Sequence, residues 1–422
     1  MNNGEISLLT GHKKQKFFYG YVIIGASFIV QFLIVGISCS FGVFFKPLSL
    51  ELGWTRATTS LAIGLAHIVL GVSAIGGGKL TDRYGPKRVF MICGIIYGLG
   101  YLLMSQVNSV WQLYLFYGVI VGMGQSVVDT PVLATLARWF DKKRGMAIGV
   151  SKVGAGIGIM IIPLLATWLI VSFGWRDTYI IIGVIAAVGI LSAGILFKRD
   201  PGQVGALPDG ATVEENAHSD IPIRQFSLLE AIGTRQFWLF SVIWFGCMFS
   251  VQVVMVHMVP HITDLGISAT FAATVISVVG GSSILSRLVI GNLNDRIGTK
   301  STFTIALAFL AASMIWVLFA REAWMFYLFA VFYGIAHGAF FTLLSPMLAG
   351  LFGLGSIGVI IGVVMFVGTI SATISPFLAG LIFDIMGSYQ LAFIIALIFS
   401  IIALLLVTLL KPTGQLASPE VS

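Results

Sequence analysis

Gly78-Lys79-Leu80-Thr81-Asp82-Arg83-Tyr84-Gly85-Pro86-Lys87 returns 213 residues later as Gly291-Asn292-Leu293-Asn294-Asp295-Arg296-Ile297-Gly298-Thr299-Lys300. The same shift pairs Trp111, Tyr114, Leu115 and Phe116 with Trp324, Tyr327, Leu328 and Phe329, Gly149 with Gly362, Pro163 with Pro376, and Gly174 with Gly387. A register held through most of each half marks an internal duplication. Around these loops the chain is apolar: of 422 residues 58% are hydrophobic and only 10% charged, against roughly 45–50% and about 25% in a soluble domain. Too few polar groups remain to cover a water-facing surface. That excludes a soluble enzyme, a nucleic-acid binder and a disordered regulator. Cys39, Cys93 and Cys247 all lie in apolar stretches, so neither a disulfide framework nor a metal-ligand spacing is present.

A helix needs about 20 apolar residues to cross the hydrocarbon core. Twelve such stretches are predicted, at 19–45, 58–80, 89–106, 112–137, 145–172, 179–197, 237–259, 269–292, 301–320, 325–352, 356–384 and 391–410. The first follows His12, Lys13, Lys14 and Lys16 but is too long for a signal h-region, so it reads as a retained helix. Lys and Arg in short loops set orientation. With the N-terminus placed in the cytoplasm, 18 of them fall on that side. Only Lys46, Arg56, Arg176 and Arg321 fall opposite, and Lys152 and Arg287 lie inside helices. Both termini are therefore expected in the cytoplasm, and the net charge of +7 is a topology signal. The polar stretch between the sixth and seventh helices divides the chain into an N-terminal six-helix bundle at 1–197, a cytoplasmic linker at 198–235 and a C-terminal six-helix bundle at 236–422.

The doubled Gly-x-Leu-x-Asp-Arg-x-Gly loop, between helices two and three and again between eight and nine, resembles the signature of the major facilitator superfamily. Two further segments resemble its branch of monocarboxylate transporters and oxalate/formate antiporters. One is Arg138-Trp139-Phe140-Asp141-Lys142-Lys143-Arg144-Gly145-Met146-Ala147-Ile148-Gly149. The other is His257-Met258-Val259-Pro260-His261-Ile262-Thr263-Asp264-Leu265-Gly266, followed by Arg287. The resemblance implies an all-α membrane protein, twelve transmembrane helices in two pseudo-symmetric six-helix bundles. A parallel repeat of this kind serves alternating access. It also implies a gating role for Gly78, Asp82, Arg83, Gly85, Gly291, Asp295, Arg296 and Gly298. An acid and a base at a helix end can hold neighbouring ends by charge-assisted hydrogen bonds and release them as the halves rock. The plainer alternative is anchorage in the headgroup region.

A charge at a helix centre costs roughly 2.5–3.5 kcal/mol on insertion scales, which makes each one a functional candidate. Arg287 lies eight positions before Asp295, about 12 Å in from the helix end. Its fork matches a carboxylate bidentately and never loses its proton, and related transporters bind substrate with an Arg at this place in helix eight. The other reading is a side chain snorkelling to the headgroups. Asp129 and Lys152 sit at depths that agree within about 2 Å on consecutive antiparallel helices, with Gln125 one turn from Asp129. They form either a self-neutralising pair or a proton acceptor beside a second anion contact. His337, with Tyr333, Phe340 and Phe341 around it, reads either as a hydrogen-bonded packing residue or as the one titratable group in an aromatic cavity wall. His257 and Asp264 bracket the outer end of helix seven, as proton acceptors or as a cap. His67 reads as structural and Asp384 as a cap on the exit of helix eleven.

Some family positions differ. Cys39 stands where animal-type monocarboxylate transporters are expected to carry a Lys, and Ser283 where they carry an Asp. Gly368 stands where the oxalate-exchanger pattern has a Lys, and Lys152 lies within one turn of the repeat-related position on helix five. The expectation is a proton-coupled symporter of small organic monocarboxylates, of lactate or pyruvate type. Arg287, His337, Phe341, Tyr333, Lys152 and Gln125 would bind substrate, and Asp129, His257, Asp264 or His337 would take the proton. It would work as a monomer in the cell (plasma or inner) membrane, with no nucleic acid, cofactor, metal or enzymatic chemistry. An oxalate/formate-type exchanger is the alternative, and a non-transporting membrane sensor of the same fold the second.

Overall fold

The computed structural model describes residues 18–140, 143–207, 226–353 and 356–411. Twelve spans, labelled here α1–α12, run back and forth, with no strand among the described residues. They are α1 (Gly20–Cys39, continued past Ser40 as Phe41–Leu52), α2 (Arg56–Tyr84), α3 (Pro86–Met104), α4 (110–139, in segments), α5 (144–173), α6 (175–196), α7 (Arg235–Asp264), α8 (Ala269–Ile297), α9 (Thr299–Phe319), α10 (Ala323–Phe352), α11 (Ile357–Met386) and α12 (Gln390–Thr408). Ten helices satisfy length and apolarity outright. The other two spans arise because α4 is broken into short segments, and because α5 runs into α6 through a kink at Gly174 (φ 82°, ψ 165°). Helices dominate because in lipid every backbone N–H and C=O must be paired within its own segment.

The 213-residue register persists in three dimensions. Thr55 caps α2 by accepting from Thr58 N, and Ser268 caps α8 by accepting from Phe271 N. Gly53 and Gly266, Gly85 and Gly298, and Gly174 and Gly387 all take positive φ. Gly85 and Gly298 share φ 82° and ψ 157°, a region open essentially to Gly alone. A methyl group there would meet nothing within 4 Å. Gly85→Ala and Gly298→Ala are therefore each expected to destabilise the fold through backbone strain only, by about 1–3 kcal/mol. Thermal unfolding in micelles reads this, and unchanged melting of both would remove the strain argument.

Each half has its own core. Phe44, Tyr97, Tyr101, Trp139 and Tyr179 belong to the first, and Phe303, Phe329, Phe340 and Phe393 to the second. The outer surface is apolar, with the repeat-related Trp111 and Trp324 exposed near the starts of α4 and α10, where indoles favour the bilayer interface. The linker expected at 198–235 is partly visible as a 3-10 turn at Pro201–Val204 and a short helix at Leu228–Ile232; 208–225 lie outside the described residues.

One departure from the expected helices shapes the site. The continuous helix predicted at 112–137 is instead a widened π-helical turn at Tyr114–Val121, a short stretch to Gln125, a break at 126–129 and a new helix Thr130–Trp139. Pro131 accounts for the break: it has no N–H to donate back to the preceding turn, whereas within the first turn of a new helix that donor is not needed. Asp129 thus becomes the N-cap of the second segment without capping it through its side chain. The positive end of that helix favours its negative charge.

Candidate functional site

The two bundles meet at the end carrying Asp264 and part at the end carrying Arg83 and Arg296. At the first end α2 lies against α11: a Cβ at Gly64 would sit 2.6 Å from Thr373 O, and one at Gly380 2.7 Å from Arg56 O. Thr373 Oγ1 donates to Gly64 O at 3.1 Å. Toward the other end, methyl groups at Gly76, Gly149, Gly358 or Gly362 would meet nothing within 4 Å.

Polar groups seal the closed end. Asp264 of α7 accepts from Arg56 of α2 at 2.7 Å and from Lys46 of α1 at 3.2 Å. The Arg56 guanidinium lies 3.5 Å from the Phe383 ring centroid and donates to Tyr389 Oη at 2.6 Å. His257 Nε2 lies 2.8 Å from Pro376 O, so it is the protonated nitrogen, and Nδ1 accepts from Tyr389 Oη at 3.1 Å. His257 is thus fully buried with both nitrogens engaged, away from the cavity. Burial pushes the Tyr389 phenol up, so it remains a hydroxyl that can donate. Asp384 corrects its expected role. It accepts from Arg56 N at 2.9 Å and Ala57 N at 2.7 Å, capping α2 across the interface rather than the exit of α11.

Between the closed end and the opening lies a cavity of about 240 Å³ whose lining includes Gln125, Asp129, Lys152, Arg287, His337 and Phe341. Lys152 Nζ and Asp129 Oδ1 form an ion pair. Gln31 Nε2 donates to Val128 O at 2.6 Å and to Asp129 Oδ1 at 3.3 Å. From the other bundle, Arg287 Nη1 donates to Lys152 O at 2.7 Å and Nε to Ser283 Oγ at 3.3 Å. Ser283 Oγ also meets His337 Nδ1 at 3.4 Å. Among the described residues no carboxylate lies within 4 Å of the Arg287 guanidinium. Two cations and one carboxylate therefore leave the cavity with one uncompensated positive charge.

Gln125 and Asp129 both face this space although the helix breaks between them. Tyr333 does not: it is fully buried and its hydroxyl donates to Val251 O at 3.2 Å, because α7 closes over α10 at that level. Phe340 is also buried, packed on Phe303, so Phe341, edge-on to Trp244 at 5.9 Å, carries the aromatic wall. A Cβ at Gly368 would lie 2.5 Å from Trp244 Nε1, leaving no room for the lysine of the exchanger pattern. His67, read as structural from the sequence, lines the cavity, as do Gln31, Trp244 and Gln252. A polar side chain inside an apolar span was the signal for these. In the doubled loop Arg83 and Arg296 are exposed at their helix ends, Arg83 with its guanidinium 5.2 Å from the Tyr84 ring centroid. The side chains of Asp82 and Asp295, and the surroundings of Gly78 and Gly291, lie outside the described residues.

Residues 27–262 and 242–421 match the family model of the Major Facilitator Superfamily. Monocarboxylate transporter 13 of Rattus norvegicus is 28% identical over 386 residues, covering 90% of this chain and 86% of that protein. The oxalate:formate antiporter of Oxalobacter formigenes is 28% identical over 307 residues, covering 72% of this chain and 69% of that protein. The crystal structure of a bacterial homologue of the human lysosomal transporter Spinster, inward-facing and unoccupied, shares the fold with a TM-score of 0.71 at 16% identity, over 94% of this chain and 97% of that one. Two six-helix bundles around a charged cavity closed at one end define a multi-pass membrane transporter. The chain belongs to the Major Facilitator Superfamily, and its sequence is similar to the monocarboxylate-transporter branch of that family.

Proposed function

We propose that the chain carries small organic monocarboxylates, of lactate or pyruvate type, together with a proton by alternating access. The observation that carries this reading is the uncompensated Arg287 in the cavity. A carboxylate is the anion its fork fits, and one spare positive charge suits one negative charge. The Asp129–Lys152 pair supports the proton's seat. Protonating Asp129 frees Lys152 to turn toward the anion, and releasing the anion lets the pair re-form. A proton and a monoanion together carry no net charge across the potential, which otherwise costs about 2.3 kcal/mol per 100 mV.

The basic loops support a reading with the Asp264 end outside and both termini in the cytoplasm of a cell membrane, in which the described conformation is open inward. The linker at 198–235 then joins two halves that rock as units within one monomer, and the doubled loops clasp the inner end when it closes. Flux of labelled lactate, pyruvate, oxalate and formate into proteoliposomes, with and without a pH gradient, tests the whole. Monocarboxylate accumulation driven by the gradient supports symport. Flux that needs internal anion and ignores pH means exchange, and no flux at all means a sensor.

The outer seal gives a separate expectation. Asp264 bonds two cations of the opposite half, each partly exposed ion pair contributing up to about 1 kcal/mol. Asp264→Asn is therefore expected to raise the outward-open population about tenfold. Spin labels at Leu50 and Leu265 would report a longer-distance component. An unchanged distance distribution would mean that these pairs do not hold the gate.

A further inference from the structure

Much of the cavity wall is apolar, including Trp244, Met248, Val251, Met255, Phe341 and Met365. It is bounded toward the closed end by a second polar group that the carboxylate reading does not use. His67 Nδ1 of α2 lies 2.9 Å from Ile63 O, and its Nε2 lies 2.9 Å from Gln252 Nε2 of α7. A carbonyl only accepts, so Nδ1 carries the proton and Nε2 accepts from the Gln252 amide. Gln252 lines the cavity, its amide nitrogen is taken up by His67, and its carbonyl has no donor among the described residues. On the repeat-related helices α2 and α8, His67 lies seven residues nearer the closed end than Arg287, about 10 Å along the axis. The cavity thus has a cationic pole, an apolar body and an uncharged accepting pole. At about 240 Å³ it falls just under the range of roughly 300–1,000 Å³ that holds drug-sized ligands. A three-carbon acid, spanning less than about 5 Å by its bond lengths, reaches only one pole and leaves most of the wall uncovered.

We propose that the cavity selects monocarboxylates with an apolar body and a terminal hydrogen-bond donor. The head is held by Arg287 and the tail by the Gln252 carbonyl, which His67 fixes in orientation. This deepens the carboxylate reading and rests on it. Because the His67–Gln252 bond joins the two halves, a tail seated there also touches both walls that must part.

Titration calorimetry on the purified full-length chain tests the idea with pyruvate, phenylpyruvate and 4-hydroxyphenylpyruvate. Burial of the ring is expected to tighten binding about tenfold or more over pyruvate, and the added hydroxyl about fivefold further. Gln252→Leu is expected to bring the two aromatic acids to equal affinity, a ratio that mere loosening of the fold would not move. The comparison of the two aromatic acids on the unaltered chain stands even if that variant does not fold. Pyruvate binding as tightly as the aromatic acids, or a hydroxyl preference that survives Gln252→Leu, overturns the proposal and leaves the carboxylate reading intact. Absence of binding by all three acids overturns both.

Discussion

Arg287→Gln is expected to weaken monocarboxylate binding by about a hundredfold or more, and uptake with it. A bidentate guanidinium–carboxylate contact contains two charge-assisted hydrogen bonds, each contributing about 1.5–3 kcal/mol. Losing about 3 kcal/mol corresponds to a factor of about a hundred. Glutamine has no charge to replace it, and no other cation among the described residues lining the cavity is free, since Lys152 is paired with Asp129. Arg287→Lys keeps the charge but loses the planar fork, so an intermediate loss of about tenfold is expected. Both variants give up the Arg287 Nη1 bond to Lys152 O and should lose thermal stability alike. A structural role therefore predicts equal effects on function, whereas anion binding predicts a large difference between them. Calorimetry with a monocarboxylate and initial uptake rates in proteoliposomes read the two. Equal, modest losses would end the anion-binding assignment.

Asp129→Asn is expected to separate carboxylate movement from the proton. The asparagine side chain does not titrate, so uptake should no longer accelerate under an imposed inward pH gradient, while exchange of internal for external anion persists. The same change strands Lys152 as a second cation beside Arg287. Oxalate, with two carboxylates, should then compete at least tenfold better than in the unaltered chain, because one more charge-assisted contact contributes about 1.5–3 kcal/mol. A fully buried pair that loses one partner costs about 3–5 kcal/mol. The side chains here are 22% and 31% exposed, so the melting temperature should fall by less than that figure implies. The double variant Asp129→Asn with Lys152→Met removes the stranded charge and should recover the melting temperature but not the pH response. Persistent gradient-driven accumulation in Asp129→Asn would move the proton's seat elsewhere, with His337 the next group in the cavity.

The spans, the duplication and the main charges of the cavity were legible from residue order, because each follows from a short-range rule. Apolar stretches must become helices in lipid, and a constant 213-residue shift reappears as paired caps and paired positive-φ glycines. Counting about 1.5 Å per residue was enough to bring Asp129 and Lys152 to one level. What stayed hidden depends on which helix faces meet. His67 and Gln252 are 185 residues apart, and nothing local to either says that α2 and α7 turn these side chains toward each other. Tyr333 lies one turn from His337 and shares its face, yet α7 covers it. Asp384 reads as the end of its own helix until α2 is seen to begin against it. Periodicity along one helix gives the direction of a side chain about that helix alone. Whether the direction leads to water, lipid or a partner is decided by the long-range packing of two rigid bundles, and only tertiary structure supplies that.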